Sequence, residues 1–265
     1  MNKIIQPFNH SIIHRLGNEA YFHLKRSIMN EDKPGIWITG ASSGIGRAAV
    51  KEFLRIGAKV FASARRNTEL ERLKTELKKE KLNIELFPCN VASSANVDQT
   101  VKKITQKNQI DCLINSAGIT SFKPAEENSI TEIDNIINTN LLGSIYAIKF
   151  VLPFMIKRKQ GTIINILSSA AKKIFTDSTA YTASKEGLLG YSNVLREEVR
   201  KYDIKVINVI PGATETPMWP PEVRNEKSEK MMSAEDLARI LVWLYLQKGN
   251  LVTEEILIRP ITGDL

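Results

Sequence analysis

From residue 35 onward the chain alternates short, almost continuously apolar runs with longer segments whose apolar residues recur every three or four positions. The short runs lie at 36–38, 59–63, 84–87, 111–114, 162–167, 205–210 and 255–258. They read as strands buried on both faces, because a strand with one face in water alternates apolar and polar side chains. The longer segments are helical in period; in 69–81, Leu70, Leu73 and Leu77 mark a buried stripe and charged residues cover the rest. Capping-box pairs mark helix starts at Thr68 with Glu71, Ser129 with Glu132, and Ser233 with Asp236, the last with an aspartate in place of the usual longer side chain. Parallel strands need a crossover, which a helix supplies, so the pattern predicts a doubly wound parallel sheet of about seven strands in three α/β/α layers.

At 265 residues, with 43% hydrophobic and 25% charged residues, the chain has ample material for one α/β core, and residues 34–265 are expected to form it. Residues 1–33 precede the first strand and hold all three histidines, His10, His14 and His23. Three readings stay open for them: an amphipathic helix packing on the domain or a partner, a weak targeting segment, or a misplaced start with Met29 as the natural first residue. No acid or cysteine joins the histidines at ligand spacing, so no metal site is expected. The net charge of +8 is largely interleaved with acid, and no basic stripe carries interleaved aromatics, which argues for solvated surfaces over a nucleic-acid partner. Cys89 and Cys112 lack paired spacing and read as small core residues. No apolar run is read as approaching the roughly 20 residues of a membrane helix, and no secretory leader is evident, so the expected setting is cytoplasmic without a membrane partner.

The first strand runs into Thr39-Gly40-Ala41-Ser42-Ser43-Gly44-Ile45-Gly46 and then into a helical segment. Strand, glycine-rich turn and helix together cradle a phosphate: glycines allow a tight turn and close approach, and the helix N-terminus offers unpaired N–H groups. At the end of the second strand, where a site for NAD places an acid, the sequence reads Ala64-Arg65-Arg66. Two guanidinium groups suit a 2′-phosphate, so the cofactor expected is NADP(H).

Tyr181 and Lys185 stand four apart and share one helix face. A phenol with a pKa near 10 becomes an acid–base group at neutral pH only when its anion is stabilised, by roughly 3 to 4 kcal/mol for two to three units; a neighbouring ammonium and an oxidised nicotinamide in a water-poor cleft are the expected sources. Ser168 ends the fifth strand, where open parallel sheets place their ligand crevice, and can hydrogen-bond a substrate carbonyl.

Taken in order, Thr39 to Gly46, Asn115-Ser116-Ala117-Gly118, Asn140, Ser168, Tyr181-x-x-x-Lys185 and Pro211-Gly212 resemble the signature of the short-chain dehydrogenase/reductase family over about residues 36–265. The resemblance implies a catalytic set of Asn140, Ser168, Tyr181 and Lys185, with Tyr181 as general acid/base, Lys185 also on the nicotinamide ribose, and Asn140 supporting a water that links Lys185 to solvent. It implies cofactor contacts from Gly40, Ser42, Ser43, Gly44, Ile45, Gly46, Arg65 and Arg66, from Asn90 and Val91 at the adenine, from Asn115, Ala117 and Gly118, and from Pro211, Gly212, Thr214 and Thr216 around the nicotinamide. Asn90 stands where the family usually has aspartate.

The segment 217–232 reads as a short substrate lid, with Met218 and Trp219 as candidate pocket residues and Arg224 or Lys227 able to meet a carboxylate. The function expected is hydride transfer between NADP(H) and a small carbonyl or alcohol. The alternatives are reduction of an acyl-linked ketone and, in another class, a non-catalytic NADP(H) sensor or scaffold. By resemblance the protein is expected to form a homodimer or homotetramer through the helices holding 140–155 and 181–202.

Overall fold

In the computed structural model of the protein, residues 33–263 are described; the expectations for His10, His14, His23 and the rest of 1–32 lie outside them. The apolar runs become seven parallel strands: β1 (Gly35–Thr39), β2 (Lys59–Ser63), β3 (Glu85–Leu86), β4 (Cys112–Asn115), β5 (Gly161–Ile166), β6 (Ile204–Pro211) and β7 (Glu255–Ile258). They order as β3-β2-β1-β4-β5-β6-β7 in one sheet. The strand order reverses between β1 and β4, and such a switch point opens a crevice at the carboxyl ends of the strands.

Among the described residues eight α-helices connect the strands: α1 (Gly44–Arg55), α2 (Asn67–Lys79), α3 (Ser94–Thr105), α4 (Ile130–Ile136), α5 (Gly143–Arg158), α6 (Thr179–Val199), α7 (Pro221–Lys227) and α8 (Ala234–Leu246). Helices α1 and α8 pack together, as do α3 and α5. One core cluster joins Trp37, Phe61, Leu113, Ile163 and Val206 of the sheet to Val97, Val101 and Ile104 of α3 and to Ala147, Ile148, Val151 and Met155 of α5. Each large side chain so buried contributes about 1.5–3 kcal/mol of transfer free energy. The helical stretch Ile130–Arg158 is long and apolar enough to cross a membrane by length and composition, contrary to the sequence expectation, because between Asp134 and Lys157 it carries one charge, Lys149. The apolar side chains of α5 in this stretch supply the core cluster just described.

The helix starts correct the sequence reading at two places. Ser129 and Glu132 form the complete capping box, but α2 begins one residue before Thr68, with Arg66 at the cap position and no side-chain capping bond. At Ser233 half a box forms: its Oγ accepts from Asp236 N, while the aspartate, one methylene short of the Ser233 N–H, accepts from the Ser233 hydroxyl instead.

Three asparagines interrupt the apolar strands at matched register, Asn115 opposite Asn165 and Asn165 opposite Asn208. Asn115 Nδ2 donates to Asn165 Oδ1 at 2.9 Å, and Asn165 Nδ2 donates to Ser192 Oγ at 2.9 Å and to Asn208 Oδ1 at 3.4 Å. Buried amides need such partners, and this ladder ties β4, β5 and β6 to α6.

Candidate active site

The β1–α1 turn is shaped by what a side chain would strike. Gly40 has φ +68°, and a Cβ there would lie 2.7 Å from the backbone of Ala117; Gly44 has φ +52° and faces Thr216. A Cβ on Gly46 would lie 2.4 Å from Gly40 O, so this third glycine sets the close packing of α1 under the turn and does not line the cleft. Ser43 at the α1 cap makes no side-chain capping bond, which leaves the first N–H groups of the helix for a ligand anion.

A cleft of about 910 Å³ runs along the carboxyl ends of the strands. One end is walled by Gly40, Ser42, Ser43, Gly44, Ile45 and the Ala64-Arg65-Arg66 turn, the middle by Ala117, Gly118, Pro211, Gly212, Thr214 and Thr216. Arg65 and Arg66 are exposed. Neither has an ion-pair partner among the described residues. That is the state of guanidinium groups able to hold a phosphate. The far end of the cleft holds Ser168, Tyr181 and Lys185.

Tyr181 and Lys185 lie on one face of α6, with Nζ 5.6 Å from the centre of the phenol ring. Lys185 Nζ donates to Ile166 O at 2.8 Å, and its enclosure pushes its pKa down to about 8. Burial likewise pushes the Tyr181 phenol up, opposed by its hydrogen bond with Ser168. The chain alone therefore does not acidify the phenol as the spacing suggested: the ammonium is spent on a carbonyl and held in a poorly solvating site. Ser168 Oγ also accepts from Ala170 N at 3.1 Å, which fixes the serine at the start of the turn after β5.

Asn140 is fully buried within a π-helical turn, Ile137–Leu142, joining α4 to α5. Such turns often mark functional positions. Its Oδ1 accepts from Ile119 N at 2.9 Å, its Nδ2 donates to Ile119 O at 2.9 Å and to Ser184 Oγ at 3.1 Å, and its backbone carbonyl accepts from Ser144 Oγ. Asn140 thus clamps the segment after β4 to α6. A Cβ built on Gly118 would lie 3.6 Å from Asn140 Oδ1 and 3.7 Å from Lys185 Nζ, so the two polar groups flank one small space.

Besides Gly46, two expected cofactor residues lie elsewhere. Asn115 is buried in the amide ladder, and Asn90 is exposed, with its Oδ1 accepting from Ala92 N in a local turn. Cys89 and Val91 face the cleft in its place, since neighbours in an extended segment point to opposite sides. Met218 and Trp219 of the lid line the cleft, and so does Lys227, whereas Arg224 does not. The sequence reading missed Phe122, Thr139 and Phe175, which also line it. Phe175 was within reach of inference, since it lies between Ser168 and Tyr181 in a segment that must pass the cleft.

The sequence model of the family described as short chain dehydrogenase matches residues 35–227. The chain belongs to that family. This short-chain dehydrogenase is 34% identical over 236 residues to the sepiapterin reductase of Chlorobaculum tepidum, across 86% of this chain and 96% of the relative. Among solved structures it is similar to a metagenomic short-chain oxidoreductase in complex with NADP, at 29% identity and a TM-score of 0.75, covering 86% of this chain and 96% of that one. It is also similar to a serine dehydrogenase complexed with NADP⁺, at 25% identity and a TM-score of 0.81, covering 87% and 96%. The fold and the family match thus agree with the family expected from the motifs, and the protein is an oxidoreductase of that family.

Proposed function

We propose that this protein is an NADP(H)-dependent carbonyl reductase or alcohol dehydrogenase in which Tyr181 is the proton donor or acceptor. The observation that carries the reading is the convergence of Ser168, Tyr181 and Lys185 at one end of a cleft whose other end offers the free N-terminus of α1 and two unpaired guanidinium groups. The relatives crystallised with NADP or NADP⁺ support the choice of cofactor.

When bound, NADPH would supply the hydride that forms the C–H bond at the carbonyl carbon, being oxidised to NADP⁺. The N–H groups of α1 hold its pyrophosphate, and Arg65 and Arg66 hold its 2′-phosphate. Ser168 hydrogen-bonds the substrate oxygen, and Tyr181 gives its proton to that oxygen as the C=O bond becomes C–O. Lys185, next to the phenol, favours the phenolate left behind, and the space between Lys185 and Asn140 takes the water through which the proton is replaced. The same reading has the protein work as a homo-oligomer, for which Phe154 and Val194, exposed on α5 and α6, supply apolar contact.

The test is NADPH oxidation, followed at 340 nm by absorbance, against a panel of small ketones and aldehydes, in the native protein and in Tyr181→Phe. The variant is expected to lose at least a hundredfold in kcat with NADPH affinity kept. Turnover undiminished in Tyr181→Phe would remove the proposed acid, and tight NADPH binding without turnover across the panel would favour a sensor or scaffold.

A further inference from the structure

Beyond Ser168 and Tyr181 the cleft ends on a flat aromatic wall. Phe122, from the segment after β4, stacks on Trp219 of the lid with ring centres 5.2 Å apart and planes 12° from parallel. The pair is held in orientation, because Trp219 Nε1 donates to Thr214 O at 3.0 Å. Phe122 remains 44% exposed, and it lines both the main cleft and an adjoining cavity of about 390 Å³. An aromatic side chain left that open, in a stack that joins two separate segments over the reacting end, offers its π-face to whatever lies there. Met218 and Phe175 complete the surround with a polarisable sulfur and a second ring. Among the described residues the cleft lining holds no carboxylate, and Lys227 is its one cation beyond the cofactor end and Lys185, so the wall suits a neutral, planar ring.

We infer that the substrate is a ketone or alcohol whose carbon bears a planar aromatic or heteroaromatic ring, and that Phe122 and Trp219 select it by stacking. This rests on the reading of the protein as an NADP(H)-dependent reductase. A planar ring stacked on the pair gains up to about tenfold in binding beyond its buried area, whereas a puckered ring of the same size gains only area.

Acetophenone and cyclohexyl methyl ketone have the same carbon skeleton but differ in ring planarity and in conjugation of the carbonyl with the ring, so the stack is read from the change in the ratio of their kcat/KM values between the native protein and Phe122→Leu, in which intrinsic reactivity cancels. Phe122→Leu is expected to lower the aryl-to-cyclohexyl ratio by up to about tenfold. A ratio unchanged in Phe122→Leu would overturn the inference. A second measurement does not depend on turnover. In protein carrying Trp243→Phe and saturated with NADP⁺, acetophenone is expected to quench tryptophan fluorescence, and Trp219→Phe added to it to abolish that quenching, since Trp37 is fully buried and the 55% exposed Trp243 of α8 has been removed. Quenching that persists in Trp219→Phe overturns the stacking site, while quenching lost in Trp219→Phe with no carbonyl turned over upholds the ring site and refutes the reductase reading alone.

Discussion

Lys185 Nζ sits 5.6 Å from the centre of the Tyr181 ring yet donates its hydrogen bond to Ile166 O. The ammonium is thus positioned beside the phenol at a stability cost, with burial pushing its pKa down from 10.5 to about 8. The shift corresponds to about 3 kcal/mol held against the charged form. Below about pH 8 that penalty is present in full. Between about pH 8 and 10.5 the folded state binds fewer protons at this site than the unfolded state, so stability gained there rises with pH until the penalty is gone. Lys185→Met is therefore expected to be inactive but more stable than the native protein at pH 7, by about 2 kcal/mol once the orphaned Ile166 carbonyl is counted. The advantage should shrink toward pH 10.5. Urea unfolding of both proteins at several pH values measures it; an advantage that does not change with pH would show that charge burial is not its source.

Arg65 and Arg66 lie just past the end of β2, and among the described residues no carboxylate pairs with them. A charge-assisted hydrogen bond contributes roughly 1.5–3 kcal/mol. Replacing both by alanine is expected to weaken NADPH binding by about ten- to a hundredfold while leaving NADH binding within about threefold. Titration calorimetry with each nucleotide checks this. Equal losses for both would place the guanidinium groups on some feature the two nucleotides share.

Much of this site could be read before any coordinates, because its chemistry is carried by short segments at the ends of strands. The Gly40–Gly46 turn, Ser168 and the Tyr181–Lys185 pair each follow from local spacing, and the topology of parallel strands brings their ends together. Asn90 and Asn140 show where that reading stops. Which side of an extended segment faces a cleft is decided by a one-residue phase, and at 89–91 that phase turns Asn90 outward. The π turn around Asn140 adds a residue to a helix, and no local propensity in Ile137-Asn138-Thr139 announces it. The Phe122–Trp219 stack joins positions nearly a hundred residues apart, which no periodicity within either segment encodes.

Gly118 separates Asn140 from Lys185. A methyl group there would sit 3.6 Å from Asn140 Oδ1 and 3.7 Å from Lys185 Nζ, ordinary contact distances that leave the fold intact. It would fill the space through which Lys185 exchanges protons in the proposed relay. Gly118→Ala is expected to melt within about 2 °C of the native protein while its kcat falls about tenfold or more. The loss should carry a larger solvent deuterium isotope effect than the native reaction shows. An unchanged kcat with unchanged stability would put the proton path elsewhere.

Asn165 stands at the centre of the ladder between Asn115 and Asn208 and also reaches Ser192 on α6. Leucine has its branching and number of heavy atoms, is bulkier, and makes none of its hydrogen bonds. Asn165→Leu would leave Asn115 Nδ2 without its acceptor and Ser192 Oγ without one of its donors, while Ser192 keeps its own bond to Leu188 O at 2.6 Å. Each buried group left unpaired costs about 1–3 kcal/mol, offset in part by the transfer of one apolar side chain. The expected loss of stability is about 2–4 kcal/mol, measured by chemical denaturation. Replacing Asn115, Asn165 and Asn208 together by valine or leucine should recover part of it, because no amide is then left to satisfy. If the triple variant were less stable than the single one by a further full increment per residue, the ladder would be a set of independent contacts and not a network.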